Sequence, residues 1–315
     1  MIHKKPLVSI ITAIFNGQDT LEDCYQSVIG QTYKNFEWLM IDDQSTDSSF
    51  DMISNWKDSR ICLWQTCTNT GGPAAPRNLA VEKSKGEFIA ILDQDDIWDS
   101  DKLERQLDFM EKNKDIALLS CNMRVIGDRA HSVMRRREAI RKPGLLYPAA
   151  DDIYRENPFL ASTIIMRRFI FEDVGGFDER PEVCGRDEWE LAIRISLKYR
   201  TAFNGDHIAG SYRLHRNNLS HTVSPLFGIN YTGMNYIRNK HDHRFPDSLV
   251  KNVRARDCYN MARDALNSGE MDIFEEQISK AACYRSYYKW KGLFLRYKKY
   301  CKALVFMDNF DSSDK

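Results

Sequence analysis

The sequence Gly86-Glu-Phe-Ile-Ala-Ile-Leu-Asp-Gln-Asp-Asp96 joins an apolar run to three carboxylates in four positions. The run is short, rich in isoleucine and followed by polar residues, which is typical of a buried strand. Carboxylates this close repel one another unless a cation lies between them, and Mg²⁺ and Mn²⁺ prefer oxygen ligands. The segment fits a strand that ends at a metal-diphosphate site, but on its own it favours a solvated acidic turn with a helix N-cap.

Strand and helix patterns alternate from residue 7 to residue 121, which is typical of βαβ units and a mainly parallel sheet. Predicted strands cover residues 7–15, 36–41, 61–65, 87–92 and 116–121, and predicted helices cover residues 19–29, 48–56, 76–85 and 101–113. Four of these strands end in polar or glycine-rich segments, at residues 16–17, 42–45, 69–73 and 93–96. Because ligands bind outside the carboxyl ends of parallel strands, we expect these four segments to line one cleft.

The chain after residue 121 is expected to complete this domain and to end in helices. A strand is predicted over residues 159–166 and a helix over 187–198. From about Phe245 the helical pattern is continuous except for Asn267-Ser-Gly269, which indicates a helical hairpin. We therefore expect a sheet domain over 1–240 and a C-terminal helical region over 241–315.

Composition excludes several classes of protein. The 315 residues are 43% hydrophobic, and 45 basic residues balance 45 acidic ones, so no overall field would hold a nucleic acid. Nowhere do about 18 apolar residues run without a charge, so no segment is expected to span a bilayer. The eight cysteines show no metal-binding spacing, which is typical of a reducing compartment and predicts a cytoplasmic protein.

Basic and aromatic residues alternate between Gln277 and Met307, where no Asp or Glu occurs. A helix of this kind can lie on the surface of an anionic bilayer, which would make the protein peripheral at the inner face of the membrane. It can equally dock its aromatic face on the protein core and leave its basic face in water. Both interpretations stay open on the sequence.

Two more strand ends carry residues suited to a nucleotide. Asp42-Asp43-Gln44-Ser45-Thr46-Asp47 can accept hydrogen bonds from a base or a ribose, or can serve as a turn and helix cap. Gly71-Gly72-Pro73-Ala74-Ala75-Pro76-Arg77-Asn78 combines close backbone approach with an arginine at a helix start, which suits a diphosphate. The sequence has neither GxxxxGK[ST] nor GxGxxG, which disfavours P-loop hydrolysis and dinucleotide binding.

In their order along the chain, these motifs resemble those of family 2 glycosyltransferases with the GT-A fold. The resemblance covers roughly residues 6 to 220, and it rests on the order of the motifs, since any one alone is weak. It includes the three segments above together with Val8-Ser-Ile-Ile-Thr12, Phe15-Asn16, Val174-Gly-Gly-Phe-Asp178, Arg186-Asp-Glu-Trp-Glu-Leu191 and Tyr212-Arg-Leu-His215. The family implies a Rossmann-like α/β sheet flanked by helices, here with a C-terminal helical extension. It would make residues 1–240 the nucleotide-sugar-binding and catalytic domain.

The resemblance also implies a reaction and a donor site. The reaction is inverting transfer of a sugar from a nucleoside diphosphate sugar, most often a UDP-sugar, with Mn²⁺ or Mg²⁺ as cofactor. Asp43 would contact the base, Asp93 the ribose or the sugar, and Asp95 the metal, with His215 as a second metal or diphosphate ligand. The residues implied to bind the donor are Thr12, Phe15, Asp43, Gly71, Arg77, Asp93, Asp95 and His215.

The family's catalytic base has two candidates in this chain. The family usually has Glu-Asp-Trp-Asp-Leu, whereas this chain has Asp187-Glu188-Trp189-Glu190-Leu191. Alignment on Trp189 places Glu188 at the position of the base, and Asp187 stays a competitor. The base would take a proton from the acceptor hydroxyl on the face opposite the leaving group. Trp189 could face an acceptor sugar or could lie in the core.

We therefore expect a metal-dependent, hexosyltransferase-type enzyme of surface polysaccharide synthesis, such as that of capsule or lipopolysaccharide. Its acceptor would be a hydroxyl of a glycan or of a lipid-linked sugar, and a dTDP-sugar or GDP-sugar donor stays open beside a UDP-sugar. Two alternatives from other classes are a non-catalytic sugar-nucleotide-binding or scaffold protein and a nucleotidyltransferase, which would share the acidic metal site.

Overall fold

The computed structural model describes residues 5–127, 144–215, 229–289, 291–293 and 295. The chain forms two compact units, residues 1–220 and 221–315. Within the described residues, the first unit is an α/β domain with a nine-stranded sheet, and the second is helical. The assignment of a catalytic domain to 1–240 and of a separate helical region to 241–315 stays a prediction.

The first unit alternates strands and helices along its chain. Its strands are β1 (Val8–Ile14), β2 (Phe36–Asp42), β3 (Ile61–Gln65), β4 (Phe88–Ile91), β5 (Ile97–Trp98), β6 (Ile116–Ile126), β7 (Leu145–Leu146), β8 (Ile165–Arg167) and β9 (Arg200–Arg213). Its helices are α1 (Leu21–Ile29), α2 (Ser49–Ser54), α3 (Ala74–Lys83), α4 (Lys102–Lys112), α5 (Ala150–Arg155), α6 (Arg168–Val174) and α7 (Asp187–Ser196).

The strands follow the order β3-β2-β1-β4-β8-β6-β9-β5, with β7 paired to β9. Neighbouring strands from β3 to β4 are parallel, as are β6 and β9, whereas β8 runs antiparallel to both β4 and β6. The predicted α/β class, with a mainly parallel sheet and flanking helices, is confirmed. The parallel pairing also places the ends of β1, β2, β3 and β4 at one edge of the sheet.

Several elements of the first unit differ from the predictions, among them β8 and β9. The predicted strand over 159–166 is wrong in its first part, because residues 161–163 form a 3-10 helix and pairing begins at Ile165. The Thr163 hydroxyl donates to the Leu160 carbonyl at 2.9 Å, which stabilises this turn. The long strand β9 has no predicted counterpart. Its pairing with β6 contains register shifts, and a bulged strand lacks the regular alternation of apolar and polar residues that predicts a strand.

The core of the first unit lies between the sheet and its helices. Leu21, Cys24 and Val28 follow a helical spacing on α1 and are fully buried. Trp38 on β2 belongs to the same cluster, and its indole N–H donates to the Thr12 hydroxyl on β1 at 2.9 Å. This hydrogen bond ties the polar atom of a large core residue to the neighbouring strand.

The second unit contains α8 (Ile229–His241), α9 (Asp247–Ser268) and α10 (Met271–Tyr284). The predicted helical hairpin is confirmed: Gly269 ends α9 with a left-handed φ of 86°, and α10 begins two residues later. Across this hairpin Ala262, Ala265, Leu266 and Phe274 form a small apolar core. Every helix that the structure describes is too short or too polar to cross a bilayer.

The first unit holds a buried lysine at the start of α4. Lys102 is fully buried, and its ammonium has no hydrogen-bond partner among the described residues. Its Nζ lies 3.7 Å from the centre of the Trp98 ring, which provides a cation–π contact. Burial lowers the pKa of Lys102 to about 7, and Cys121 opposes this effect. The lysine therefore exchanges between its charged and neutral forms near pH 7.

Lys102→Met is expected to raise the melting temperature at pH 7 and to flatten the pH dependence of stability. Above pH 7 the unfolded chain keeps a lysine proton that the folded protein has lost, so Lys102 makes the free energy of unfolding rise with pH by up to about 1.4 kcal/mol per pH unit. Denaturation between pH 6 and 9 measures this slope. The exposed control Lys112→Met should change neither quantity, and a lower melting temperature for Lys102→Met would contradict the expectation.

Candidate active site

Hydrogen bonds join the segments that follow β1, β2 and β4. The Gln94 amide donates to the Phe15 carbonyl and accepts from the Phe15 N–H, both at 2.9 Å. The Asn16 N–H donates to the Ser45 hydroxyl at 3.0 Å, and its side-chain oxygen accepts from the Thr46 N–H at 2.8 Å. These contacts bring three of the four expected segments together at one edge of the sheet.

Local backbone geometry at these strand ends is unusual. Asn16 and Gln44 adopt positive φ angles of 51° and 64°, which non-glycine residues seldom do. A Cβ at Gly17 would lie 2.6 Å from Oε1 of Gln94, so glycine leaves room for the amide of that residue. Gln94 is a site residue that the sequence analysis missed, because an uncharged amide among three carboxylates offers no chemical signal of its own.

Asp43 fastens the segment after β3 to the end of β2. Its carboxylate accepts hydrogen bonds from the Thr70 N–H at 3.0 Å, the Thr70 hydroxyl at 2.9 Å and the Thr66 hydroxyl at 2.9 Å. Within the described residues, Oδ1 of the neighbouring Asp42 is buried without a partner. The carboxylate of Asp43 is thus held in a fixed position, and its contact with a base stays a prediction.

The other residues expected near the nucleoside differ in accessibility. Thr12 is buried and its hydroxyl accepts from Trp38, so that hydroxyl belongs to the core. Phe15 is 47% exposed, and its ring is open to a stacking partner. Gly71 has a φ of 81° in open space, so its conformation rather than crowding requires glycine. Their roles in nucleoside binding stay predictions.

Arg77 lies buried between two carboxylates. From the first turn of α3 its guanidinium donates to Oδ2 of Asp187 at 2.5 Å and to Oδ1 of Asp93. Burial lowers the pKa of Arg77, but the charges of Asp187 and Asp93 outweigh this and raise it above its usual range. The ion pairs join the end of β4 to the start of α7, which are 94 residues apart in the chain (187 minus 93).

Glu188 lies half-buried in the first turn of α7, beside Asp187. Burial and then the charge of Asp187 raise the pKa of Glu188 to about 8, against the opposing effect of Arg77. The two candidate bases therefore differ, because Asp187 is bound to a guanidinium whereas Glu188 has a raised proton affinity. Trp189 is buried and its indole N–H donates to the Ile153 carbonyl at 2.7 Å, which places it in the core rather than toward an acceptor.

The acidic turn after β4 meets the end of β9. Oδ2 of Asp95 and Nε2 of His215 lie 2.8 Å apart. The Arg213 N–H donates to Oδ1 of Asp96, and its guanidinium donates to the Asp95 carbonyl, both at 3.0 Å. Burial raises the pKa of Asp96 well above its usual range, and the charges of Asp95 and Asp93 add to this. The carboxyl group of Asp96 therefore holds a proton more readily than that of an ordinary aspartate.

Asp95 and His215 fit a divalent cation shared with a ligand. No group of three or more His, Cys, Asp or Glu side chains suited to a metal occurs in the described part of the chain. Asp95 and His215 are 17% and 32% exposed, so both ligands can be reached from outside. A carboxylate oxygen and an imidazole nitrogen suit Mn²⁺, and two protein ligands leave coordination positions for diphosphate oxygens.

The comparison with protein families identifies the domain that carries this site. The family model described as glycosyl transferase family 2 matches residues 9–175, which is more than half of the chain. The chain belongs to glycosyltransferase family 2. The match contains the four strand-end segments and Arg77, while Asp187, Glu188 and His215 lie beyond its end.

Two curated glycosyltransferases are among the relatives of this family 2 chain. The putative teichuronic acid biosynthesis glycosyltransferase TuaG of Bacillus subtilis is 31% identical over 225 residues, which cover 70% of this chain and 84% of that protein. WfaP of Escherichia coli, named as a UDP-Glc:alpha-D-GlcNAc-diphosphoundecaprenol beta-1,3-glucosyltransferase, is 45% identical over 109 residues. That alignment covers 34% of this chain and 43% of WfaP, so the chain spans less than half the length of this relative.

A solved structure agrees with the fold of the family 2 chain. TarS residues 1–349 from S. aureus, in complex with UDP-GlcNAc, superpose with a TM-score of 0.63 over 89% of this chain and 92% of that one. The identity is 17%, so the comparison concerns the fold alone. The predicted GT-A fold and family 2 membership are confirmed.

Proposed function

We propose that this chain is an inverting, hexosyltransferase-type enzyme that transfers a sugar from a UDP-sugar to a hydroxyl of a glycan or lipid-linked acceptor in bacterial surface polysaccharide synthesis. The observation that carries the proposal is the buried bridge of Arg77, which holds Asp93 of the acidic turn beside Asp187 and hence near Glu188. The names of TuaG and WfaP support this class of acceptor and, for WfaP, a UDP-sugar donor. The UDP-GlcNAc bound to TarS supports the same donor class.

On the donor side, Asp95 and His215 would hold Mn²⁺ or Mg²⁺ against the diphosphate. When bound, the cation would stabilise the negative charge that develops on the departing diphosphate. Asp43 and Phe15 would position the nucleoside, and Asp93 would contact the ribose or the sugar. Arg77 would keep Asp93 in place, since both halves of its guanidinium are already engaged by carboxylates.

On the acceptor side, Glu188 would take the hydroxyl proton while the acceptor oxygen attacks the anomeric carbon and the bond to the diphosphate breaks. A carboxylate with a pKa of about 8 is a stronger base than an ordinary glutamate. Asp187 is the weaker candidate, because it is buried and its Oδ2 already accepts a hydrogen bond from the Arg77 guanidinium at 2.5 Å. Attack from the face opposite the leaving group inverts the anomeric centre.

Glu188→Gln is expected to lower turnover by about 10²-fold or more, because the amide cannot take the proton. The affinity for UDP with Mn²⁺ and the melting temperature should stay close to those of the unmodified protein. Release of UDP from UDP-glucose and from UDP-GlcNAc, with GlcNAc-diphosphoundecaprenol as acceptor, measures turnover.

Asp187→Asn is the comparison for Glu188→Gln. It should lower stability as well as activity, because it removes one of the two carboxylates that pair with the buried Arg77. Loss of turnover in Asp187→Asn with full turnover in Glu188→Gln would show that the base is misassigned. Binding of UDP without turnover by the unmodified protein would favour a non-catalytic sugar-nucleotide-binding protein.

Asp95→Ala is expected to abolish metal-dependent binding of the nucleotide, because it removes the carboxylate proposed to hold the cation. The rise in melting temperature on adding UDP, GDP or dTDP, each with Mn²⁺ and with EDTA, measures this binding. UDP with Mn²⁺ should give the largest rise in the unmodified protein. Asp108→Ala, which removes an exposed partner of Lys112, should keep that rise, and an unchanged rise in Asp95→Ala would overturn the metal role.

We also propose that the start of the basic aromatic segment contacts an anionic membrane surface. Lys291 Nζ lies 4.8 Å from the ring centre of Tyr287, which is 53% exposed, and 5.2 Å from that of Tyr259. This surface pairs aromatic rings with positive charge, which suits the headgroup region of an anionic bilayer. Residues 290, 294 and 296–307 of the segment lie outside the described part of the chain.

Charge reversal at Arg285, Lys289 and Lys291 by glutamate is expected to release the protein from vesicles that contain phosphatidylglycerol. Each basic residue near such a surface contributes about 1 kcal/mol, so three reversals should lower binding by more than 10²-fold. Sedimentation with vesicles measures the bound fraction. Glutamate at the exposed Lys34, Lys57 and Lys114 gives the same change in net charge and should leave most of the binding intact. Equal loss in both variants would contradict the proposed contact.

A further inference from the structure

We propose that Asn157 is a positioning residue for the catalytic base, which it orients through a hydrogen bond to one oxygen of the Glu188 carboxylate. The Asn157 amide donates from Nδ2 to Oε1 of Glu188 at 3.3 Å. This inference rests on the proposed function, because it assigns a role to a neighbour of the residue proposed as the base.

The orientation of the Asn157 amide is fixed by its second hydrogen bond. Its Oδ1 accepts from the Phe159 N–H at 3.1 Å, so the amide oxygen faces the main chain and the NH₂ group faces Glu188. A flipped amide would lose both bonds and place its oxygen against a carboxylate. Because Pro158 follows Asn157, the backbone of Asn157 is also restricted to extended conformations. The direction of the Nδ2 donor is therefore set by the hydrogen bond from Phe159 and by the backbone next to Pro158, not by the Glu188 acceptor.

The packing of α5 against α7 sets the distance between Asn157 and Glu188. The Trp189 indole N–H donates to the Ile153 carbonyl at 2.7 Å, which attaches the start of α7 to α5. Ile153 and Tyr154 are fully buried near the end of α5, and this helix ends at Arg155, two residues before Asn157. The buried Trp189 thus attaches α7 to α5 next to Glu188. This structural role accounts for a tryptophan at that position without a sugar stacked on its ring.

The charges around Glu188 are mainly negative, and Asn157 provides a hydrogen-bond donor to its carboxylate. Asp187 on the same helix and Asp93 after β4 both raise the pKa of Glu188, and the Arg77 guanidinium that opposes them is divided between those two aspartates. Asn157 adds a neutral donor from the side of α5. Its hydrogen bond favours the ionised form of Glu188 and occupies Oε1. Oε2 is then the oxygen that takes the proton of the acceptor hydroxyl.

The first test measures the ionisation of Glu188 directly, without substrate. A ¹³C NMR titration of side-chain-labelled glutamate should show a carboxyl signal with a pKa of about 8 that is missing in Glu188→Gln. Asn157→Ala should raise that pKa by about 0.5 or more, because the ionised form loses a donor. Asn157→Asp should raise it further, and its carboxylate can still accept from the Phe159 N–H, which preserves the turn.

The second test asks whether the same bond matters for turnover. Turnover is measured with UDP-glucose as donor. If the pKa of Glu188 is higher by about 0.5 in Asn157→Ala, turnover at pH 7 should fall by about threefold. At about pH 9.5 turnover should be almost unchanged, because Glu188 is then ionised in both proteins. The KM for the donor should not change. Gln26→Ala, which removes an exposed amide–carboxylate bond to Glu22 on α1, should alter neither the titration nor the profile.

The outcomes separate this inference from the proposed function. Full turnover in Glu188→Gln would overturn the assignment of the base and the role of Asn157 with it. An inactive Glu188→Gln, together with an unchanged Glu188 pKa in both Asn157 variants, would overturn the role of Asn157 alone. A loss of turnover that is equal at every pH would likewise show that Asn157 supports the fold and does not position the base.

Discussion

The buried guanidinium of Arg77 is the interaction on which the arrangement of the site depends. Its two carboxylate partners come from the end of β4 and the start of α7, and it is the positive charge that both of them share. The same pairing distinguishes two adjacent carboxylates of α7. Asp187 is bound to the arginine, while its neighbour Glu188 is not and has a pKa raised chiefly by burial. One cation thereby connects the proposed donor side of the site with the proposed acceptor side.

Much of the fold could be predicted because its signals are local. The apolar run 88–91 ends at a polar turn, and the helical spacing in 102–112 is regular, so strand and helix could be read from short segments. The helical hairpin around Gly269 has an equally local stop signal. The strand β9 shows the limit, because its pairing with β6 contains register shifts, and a bulged strand loses the alternation on which the prediction relies.

The candidate site divides in the same way. Charged residues at strand ends, such as Asp93 and Asp95, could be predicted as site residues from their charge and position. The parallel topology brings these strand ends together. Partners that depend on tertiary contact could not be predicted. The engagement of Asp187 by Arg77 required the structure, as did the clamp of Gln94 on the Phe15 main chain and the bond from Asn157 to Glu188. Amides in particular carry no charge that would mark them in a sequence.

The Gln94 clamp has a consequence for how a donor site of this kind can diversify. Gln94 contacts only the main-chain N–H and carbonyl of Phe15 in these two bonds, so the geometry of the cleft floor does not depend on the side chain at that position. The exposed ring could therefore be exchanged for another residue without moving the acidic turn. Under the proposed role of Phe15 in nucleoside binding, the residue at this position could vary, and the preference for a nucleobase with it, while the strand ends keep their arrangement.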